Sequence, residues 1–311
     1  MSALLSSPST LWTLTALTGI AAASILVALS RRAQDLAARS ALTNVAPRAA
    51  NEVAAIGIRR WWRRRHAMIA IGVFLGTTVA LVYAWAVGLD RLGPFGDVLV
   101  FSAVVGASSL SVLAGTGHYR RIIEQVRVAH AEATAFADFT SMGLRVSSRL
   151  AVTSAVVLTG ATMMATLRSS RYDGISSVLA TPLAMTALAL LALLHFEVAG
   201  RLLAHRRHRA GTPEQLAGDD TVRCLVVRDA AIAASTLGFA SVALTVPKLW
   251  IVLEIQLLSP ENLRVADGMA TVLAVAILIG GIAVRPRVSS KLLVGSRTPD
   301  AQPARDLSLH P

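Results

Sequence analysis

The stretch Arg59 to His66 (RRWWRRRH) sets five arginines and two tryptophans directly against an uncharged apolar run, Ala67 to Gly88. That junction constrains the chain more than any other feature. A run of about 20 apolar residues is what an α-helix needs to cross the roughly 30 Å hydrocarbon core of a bilayer. Guanidinium groups at its mouth meet anionic headgroups, and indoles occupy the interfacial belt. A nucleic-acid patch or nuclear address is the competing reading of such a basic cluster, but neither accounts for the hydrophobic segment that follows at once. Arg59, Arg60, Trp61, Trp62, Arg63, Arg64 and Arg65 are therefore read as membrane-interface residues.

Composition points the same way. Of 311 residues, 54% are hydrophobic and 15% charged, against roughly 45–50% and 25% in an average soluble domain. Aromatic residues are only 5%, so the apolar content is mostly Ala, Leu, Val and Ile, which suits lipid-facing and helix-packing surfaces. The single Cys224 excludes an internal disulfide framework and any CxxC metal or redox motif.

The expected fold class is all-α and polytopic, with seven transmembrane spans near residues 11–30, 67–88, 98–116, 150–167, 177–199, 230–246 and 269–284. Six or eight are the alternative counts. Residues 1–288 form one helical domain, and 289–311, with Pro299 and Pro303, reads as a disordered tail. The first apolar run has its basic residues, Arg31 and Arg32, after it rather than before it. It is therefore expected to be an uncleaved span with the N-terminus outside.

Charge tests this assignment independently of hydropathy. The connections 31–66, 117–149, 200–229 and 285–311 hold 9, 5, 6 and 5 basic residues, 25 of the 30 in the chain. Such alternation places them, with the C-terminus, in the cytoplasm. The formal charge of +12 is then an inner-leaflet charge drawn to anionic lipid at roughly 1 kcal/mol per well-placed residue. No nucleic acid is needed to explain it. The localisation expected is the plasma (cytoplasmic) membrane.

Several local readings follow. The connection 31–66 is expected to be helical on either side of Pro47, and His118 to Phe139 to form a further cytoplasmic helix. Asp219-Asp220 after Gly218 reads as a turn. Pro247-Lys248 interrupts the sixth apolar run, so 249–258 reads as an interfacial helix or a kinked extension of that span. Spans two, four and six begin about 80 residues apart, which would give three stacked hairpins if the chain were duplicated, though side-chain similarity between the units is poor.

Chemistry-bearing residues are few. The spans hold almost no ionisable groups, whereas ion-coupled carriers keep them near the midplane. No span contains Lys, which excludes a retinal Schiff base, and HExxH, P-loop and GxSxG motifs are absent. His195 is the one intramembrane histidine; with Glu197 and Arg201 it marks a candidate polar vestibule near the cytoplasmic end of the fifth span. Glu197 and Arg201 stand at i, i+4 spacing for an ion pair. His195 and Glu197, two residues apart, point to different helix faces, which argues against a shared metal ion. No cofactor or metal site is expected. Gly72 and Gly76 in a GxxxG pattern, and Gly106 in the third span, are candidates for close helix packing.

These features favour a non-enzymatic subunit or scaffold of a cell-envelope complex, contacting anionic inner-leaflet lipids and a protein partner through its basic cytoplasmic face. A transporter of a neutral or amphiphilic solute is the alternative, and a lipid-modifying enzyme the third reading.

Overall fold

The computed structural model describes residues 18–45 apart from 20 and 24, then 52–87, 96–117, 136–168, 175–205 and 213–252. The expected seventh span, the C-terminal tail, the connection 118–135 and the stretch 253–258 lie outside the described residues. Every described element is helical: α1 Arg31–Val45, α2 Glu52–Val87, α3 Gly96–Gly117, α4 Met142–Arg168, α5 Ile175–His205 and α6 Pro213–Val252, with a single 3-10 turn, Phe136–Asp138, leading into α4. Ahead of α1, residues 18–29 are helical where described, and Ser30 Oγ accepts a hydrogen bond from Ala33 N, capping α1.

Four helical segments are long and apolar enough to cross a membrane: Ala55–Tyr83, Met142–Leu167, Ala180–His205 and Asp220–Val246. In α3 the segment with described side chains, Ala103–Ala114, is apolar but shorter.

Contacts between helices fix their relative directions. Gly72 and Gly76 of α2 meet Ala107-Ser108 and Ala103-Val104 of α3, so these two run antiparallel. Arg149 and Thr159 of α4 meet Glu197 and Thr186 of α5, again antiparallel. Helix α6 takes Val222 to Ile58 and Asp229 to Arg65 of α2, and Gly238 to Ala151 and Thr245 to Thr159 of α4. Helices α2, α4 and α6 are therefore parallel, with α3 and α5 returning between them. Alternation of this kind is what successive membrane crossings require.

The centre of the bundle is α6. In its apolar window 78% of the residues are buried, against 28–33% in the other three long helices. Val105, Val152, Met185 and Ala189 close around Ala234, Leu237, Ala240 and Leu244. Gly238 lies so near the α4 backbone that a Cβ would stand 2.8 Å from the Ala151 carbonyl carbon, which is what small residues at helix crossings permit. The exposed side chains of α2, α4 and α5 are largely Leu, Val, Ile and Met, as lipid-facing surfaces are.

One local expectation differs from the structure. Asp219-Asp220 is not a turn: α6 begins at Pro213, favourable as a first helical residue, and runs through both. Thr221 is fully buried there, and Arg223 Nη1 donates to Leu203 O at 2.9 Å, so packing overrides the turn signal. At the other end α6 continues through Pro247 to Val252, as an extension of the sixth span would, with the rest of 249–258 outside the described residues. Helix α6 packs against both α2–α3 and α4–α5; the seventh span, with which it would form the third expected hairpin, lies outside the described residues.

The arginine-tryptophan stretch lies inside α2, not at its start. A helix of 36 residues is about 54 Å long, well beyond the roughly 30 Å hydrocarbon core. Its first turns join α1 and the start of α6 in a small separate core of Ala38, Ala55, Ile58, Val222 and Val226, against which Trp61 and Leu203 pack. The Phe136 ring rests on Gly200, where a Cβ would overlap it, and stands 5.3 Å from the Phe196 ring centroid.

Candidate functional site

Charged and hydroxyl side chains form two layers at different depths of the bundle. At the arginine-rich end, Arg65 Nε donates to both carboxylate oxygens of Asp229, at 2.8 and 3.0 Å. Asp229 is buried, with 5% of its side chain exposed. A buried carboxylate is tolerated only when its charge is met and its oxygens accept hydrogen bonds. The Arg65 guanidinium carbon also lies 5.9 and 6.0 Å from the ring centres of Trp61 and Trp62, within cation–π range. His66 Nδ1 is 3.1 Å from Trp62 O. Farther from the apolar section, Arg59 and Asp35 form a partly exposed ion pair at 2.8 Å.

A second ion pair joins α4 to α5. Glu197 Oε1 accepts from Arg149 Nε and Nη2 at 2.9 and 2.6 Å, and Oε2 accepts from Arg201 Nη2 at 3.4 Å. Of the vestibule residues, the structure thus gathers Glu197 and Arg201 and adds Arg149. His195 is half-buried on another face of α5.

The second layer consists of hydroxyl groups. Thr186 Oγ1 lies 2.8 Å from Thr159 Oγ1 and 2.6 Å from Ser241 Oγ, and Thr159 is 3.4 Å from Thr245, tying α4, α5 and α6 together. Ser109 and Thr236, 2.9 Å apart, do the same for α3 and α6. All six are buried. Thr245 and Thr236 also bond to carbonyls of their own helix.

Helix geometry sets the distance between the layers. Arg149 to Thr159, Glu197 back to Thr186, and Asp229 to Ser241 are ten, eleven and twelve residues. At 1.5 Å per residue these are about 15, 16 and 18 Å, close to half of a roughly 30 Å hydrocarbon core. Both ion pairs therefore share one level, and the Thr159–Thr186–Ser241 group lies about 15–18 Å further along the bundle.

Sequence reasoning found Glu197 with Arg201 but missed Arg149, the Arg65–Asp229 pair and the hydroxyl layer. Arg149 and Asp229 each stand one residue before an apolar run, a position marking them as boundary residues, but nothing local identifies their partners. The interface arginines remain distributed: Arg60 and Arg63 are exposed, while Arg59, Arg64 and Arg65 are half-buried. Gly106 does not face α2; its nearest neighbours are Met185 and Leu237, at 3.5 Å or more. Among the described residues no group of three or more His, Cys, Asp or Glu side chains comes together to hold a metal. No protein family, curated protein or solved structure matches this chain.

Proposed function

We propose that this is a multi-pass protein of the plasma membrane, with seven crossings, the N-terminus outside and the arginine-rich end in the cytoplasm, working by association as a non-enzymatic subunit or scaffold of a cell-envelope complex. One observation carries the reading: the buried hydroxyls around Thr186 bond one another, and the buried Asp229 is met by Arg65, so these groups are engaged within the bundle. The arginine-rich rim is the developed polar surface that remains. The distribution of 25 of the 30 basic residues supports the orientation.

The test is to extract the full chain in a mild detergent or native nanodisc and identify by mass spectrometry what stays bound. A stoichiometric protein partner, lost when Arg60 and Arg63 are both changed to Gln, supports the subunit reading. A protein that always purifies alone sinks it.

A second reading, a carrier for a neutral or amphiphilic solute, draws on the depth of the hydroxyl layer, since carriers bind near the bilayer midplane. Under that reading Thr186→Val abolishes transport while leaving partner retention unchanged.

A further inference from the structure

Helices α4 and α5 pack chiefly on α6 and more sparingly on each other, so their outer faces stand side by side. At the arginine-rich end these faces are bridged by Glu197. Its side chain is sheltered, with 19% exposed, whereas the Arg149 and Arg201 side chains that share it are 53% and 66% exposed. One carboxylate against two guanidiniums leaves a positive charge and outward N–H donors. One turn toward the start of α4, Arg145 buries its Nε with no hydrogen-bond partner among the described residues, adding a further cation.

Apolar side chains continue from each arginine at helical spacing. On α4 the stripe through Arg149 exposes Val156 and Met163, and on α5 the stripe through Arg201 exposes Val198 and Leu194. A planar guanidinium pairs with phosphate through parallel N–H donors. A free phosphate ion would use those donors alone; a phospholipid would use the donors and the apolar stripes together.

We propose that Arg149 and Arg201, with Arg145 behind them, hold the phosphate of an anionic phospholipid, its acyl chains lying along the exposed stripes of α4 and α5. Glu197 is a positioning residue that holds the two outer guanidiniums at one place. The site rests on reading the arginine-rich end as a membrane interface, not on which protein partner, if any, the chain has.

The test uses the full chain in a neutral detergent and native mass spectrometry, comparing retention of dioleoylphosphatidylglycerol with that of dioleoylphosphatidylcholine. Wild-type protein retains one phosphatidylglycerol in preference to phosphatidylcholine. At roughly 1 kcal/mol per arginine, Arg201→Gln lowers that preference about fivefold, and Arg149→Gln with Arg201→Gln about 25-fold. Arg60→Gln with Arg63→Gln, which removes two exposed arginines elsewhere at the same end, leaves it unchanged. If the double variant does not fold, Arg201→Gln decides, because it keeps the shorter Arg149–Glu197 pair. Wild-type preference in Arg201→Gln overturns the site, as does equal loss in the Arg60/Arg63 variant. Displacement of phosphatidylglycerol by millimolar inorganic phosphate as readily as by added phosphatidylglycerol overturns the lipid as occupant and assigns a phosphate-ion site. Maleimide labelling of Met142→Cys reports separately whether this end faces the cytoplasm, so a failed orientation is distinguishable from a failed site.

Discussion

Arg65 and Asp229 are 164 positions apart in the chain, yet Arg65 Nε lies 2.8 and 3.0 Å from the two carboxylate oxygens of Asp229. The pair pins α2 to α6 at the level where the apolar section of each helix begins. Removing the carboxylate leaves a half-buried guanidinium without its counter-charge. Asp229→Leu is expected to destabilise the bundle by about 2–3 kcal/mol, somewhat less than for a fully buried pair because Arg65 retains some solvent contact. The exchange Arg65→Asp with Asp229→Arg should recover part of that loss. Thermal unfolding in detergent checks both; a double exchange as unstable as the single change would show that orientation within the site, rather than charge pairing, matters.

Close approach of α2 and α3 depends on two glycines. A Cβ at Gly76 would stand 2.5 Å from Val104 Cα and 2.7 Å from Ala103 O, and one at Gly72 would overlap Ser108 Cα. Backbone on the far side cannot yield as a flexible side chain can. Gly76→Ala should therefore cost about 1–3 kcal/mol, whereas Gly106→Ala, which faces the movable Met185 side chain at 3.5 Å, should be nearly neutral. Equal melting temperatures for the two variants would mean that α2 and α3 do not pack this closely.

Thr186 is the hub of the buried hydroxyl group. Its loss deprives Ser241 of a partner at 2.6 Å, while Thr245 keeps its bond to Ser241 O. Interhelical hydroxyl bonds within membranes average about 0.6 kcal/mol, with a maximum near 1.7. Thr186→Val should fall in that range, measured by the denaturant midpoint in mixed micelles, with Ser154→Ala on the exposed face of α4 as the neutral reference.

Orientation can be read by labelling. With Cys224 replaced by Ser, a Cys at Ser170 should react with an impermeant maleimide on intact cells, and one at the exposed Met142 only after the membrane is opened. The reverse pattern would overturn the cytoplasmic assignment of the arginine-rich end.

That the chain holds several helices long and apolar enough to cross a membrane was legible because hydropathy and charge act locally. Residues 67, 150 and 230 open runs whose flanking Arg65, Arg149 and Asp229 lie at one level. What could not be read is which faces meet. Helix α6 has an apolar composition much like that of α2, α4 and α5, and burial inside protein or in lipid demands the same residue types. The i, i+4 pair of Glu197 with Arg201 was accessible because it is local, whereas Arg149 reaches Glu197 from 48 positions away. The Gly218-Asp219-Asp220 signal misled because turn propensity is weak against the burial of Thr221 and Arg223.

The central place of α6 bears on how the protein can be made. Its window has a mean hydropathy of 1.5, the lowest of the four, against 1.7 to 1.8 in the others. It also brings Asp229, Thr236, Ser241 and Thr245 into the interior, where lipid would leave their polar atoms poorly served. A ribosome has delivered α2–α3 and α4–α5 before α6 emerges, so those hairpins must wait, unsealed, for the segment that fills the space between them. Chains cut short before residue 213 would be left with facing surfaces of small and hydroxyl residues and nothing to bury them. Of these six helices, the last to be synthesised is the one that fills the space between the others.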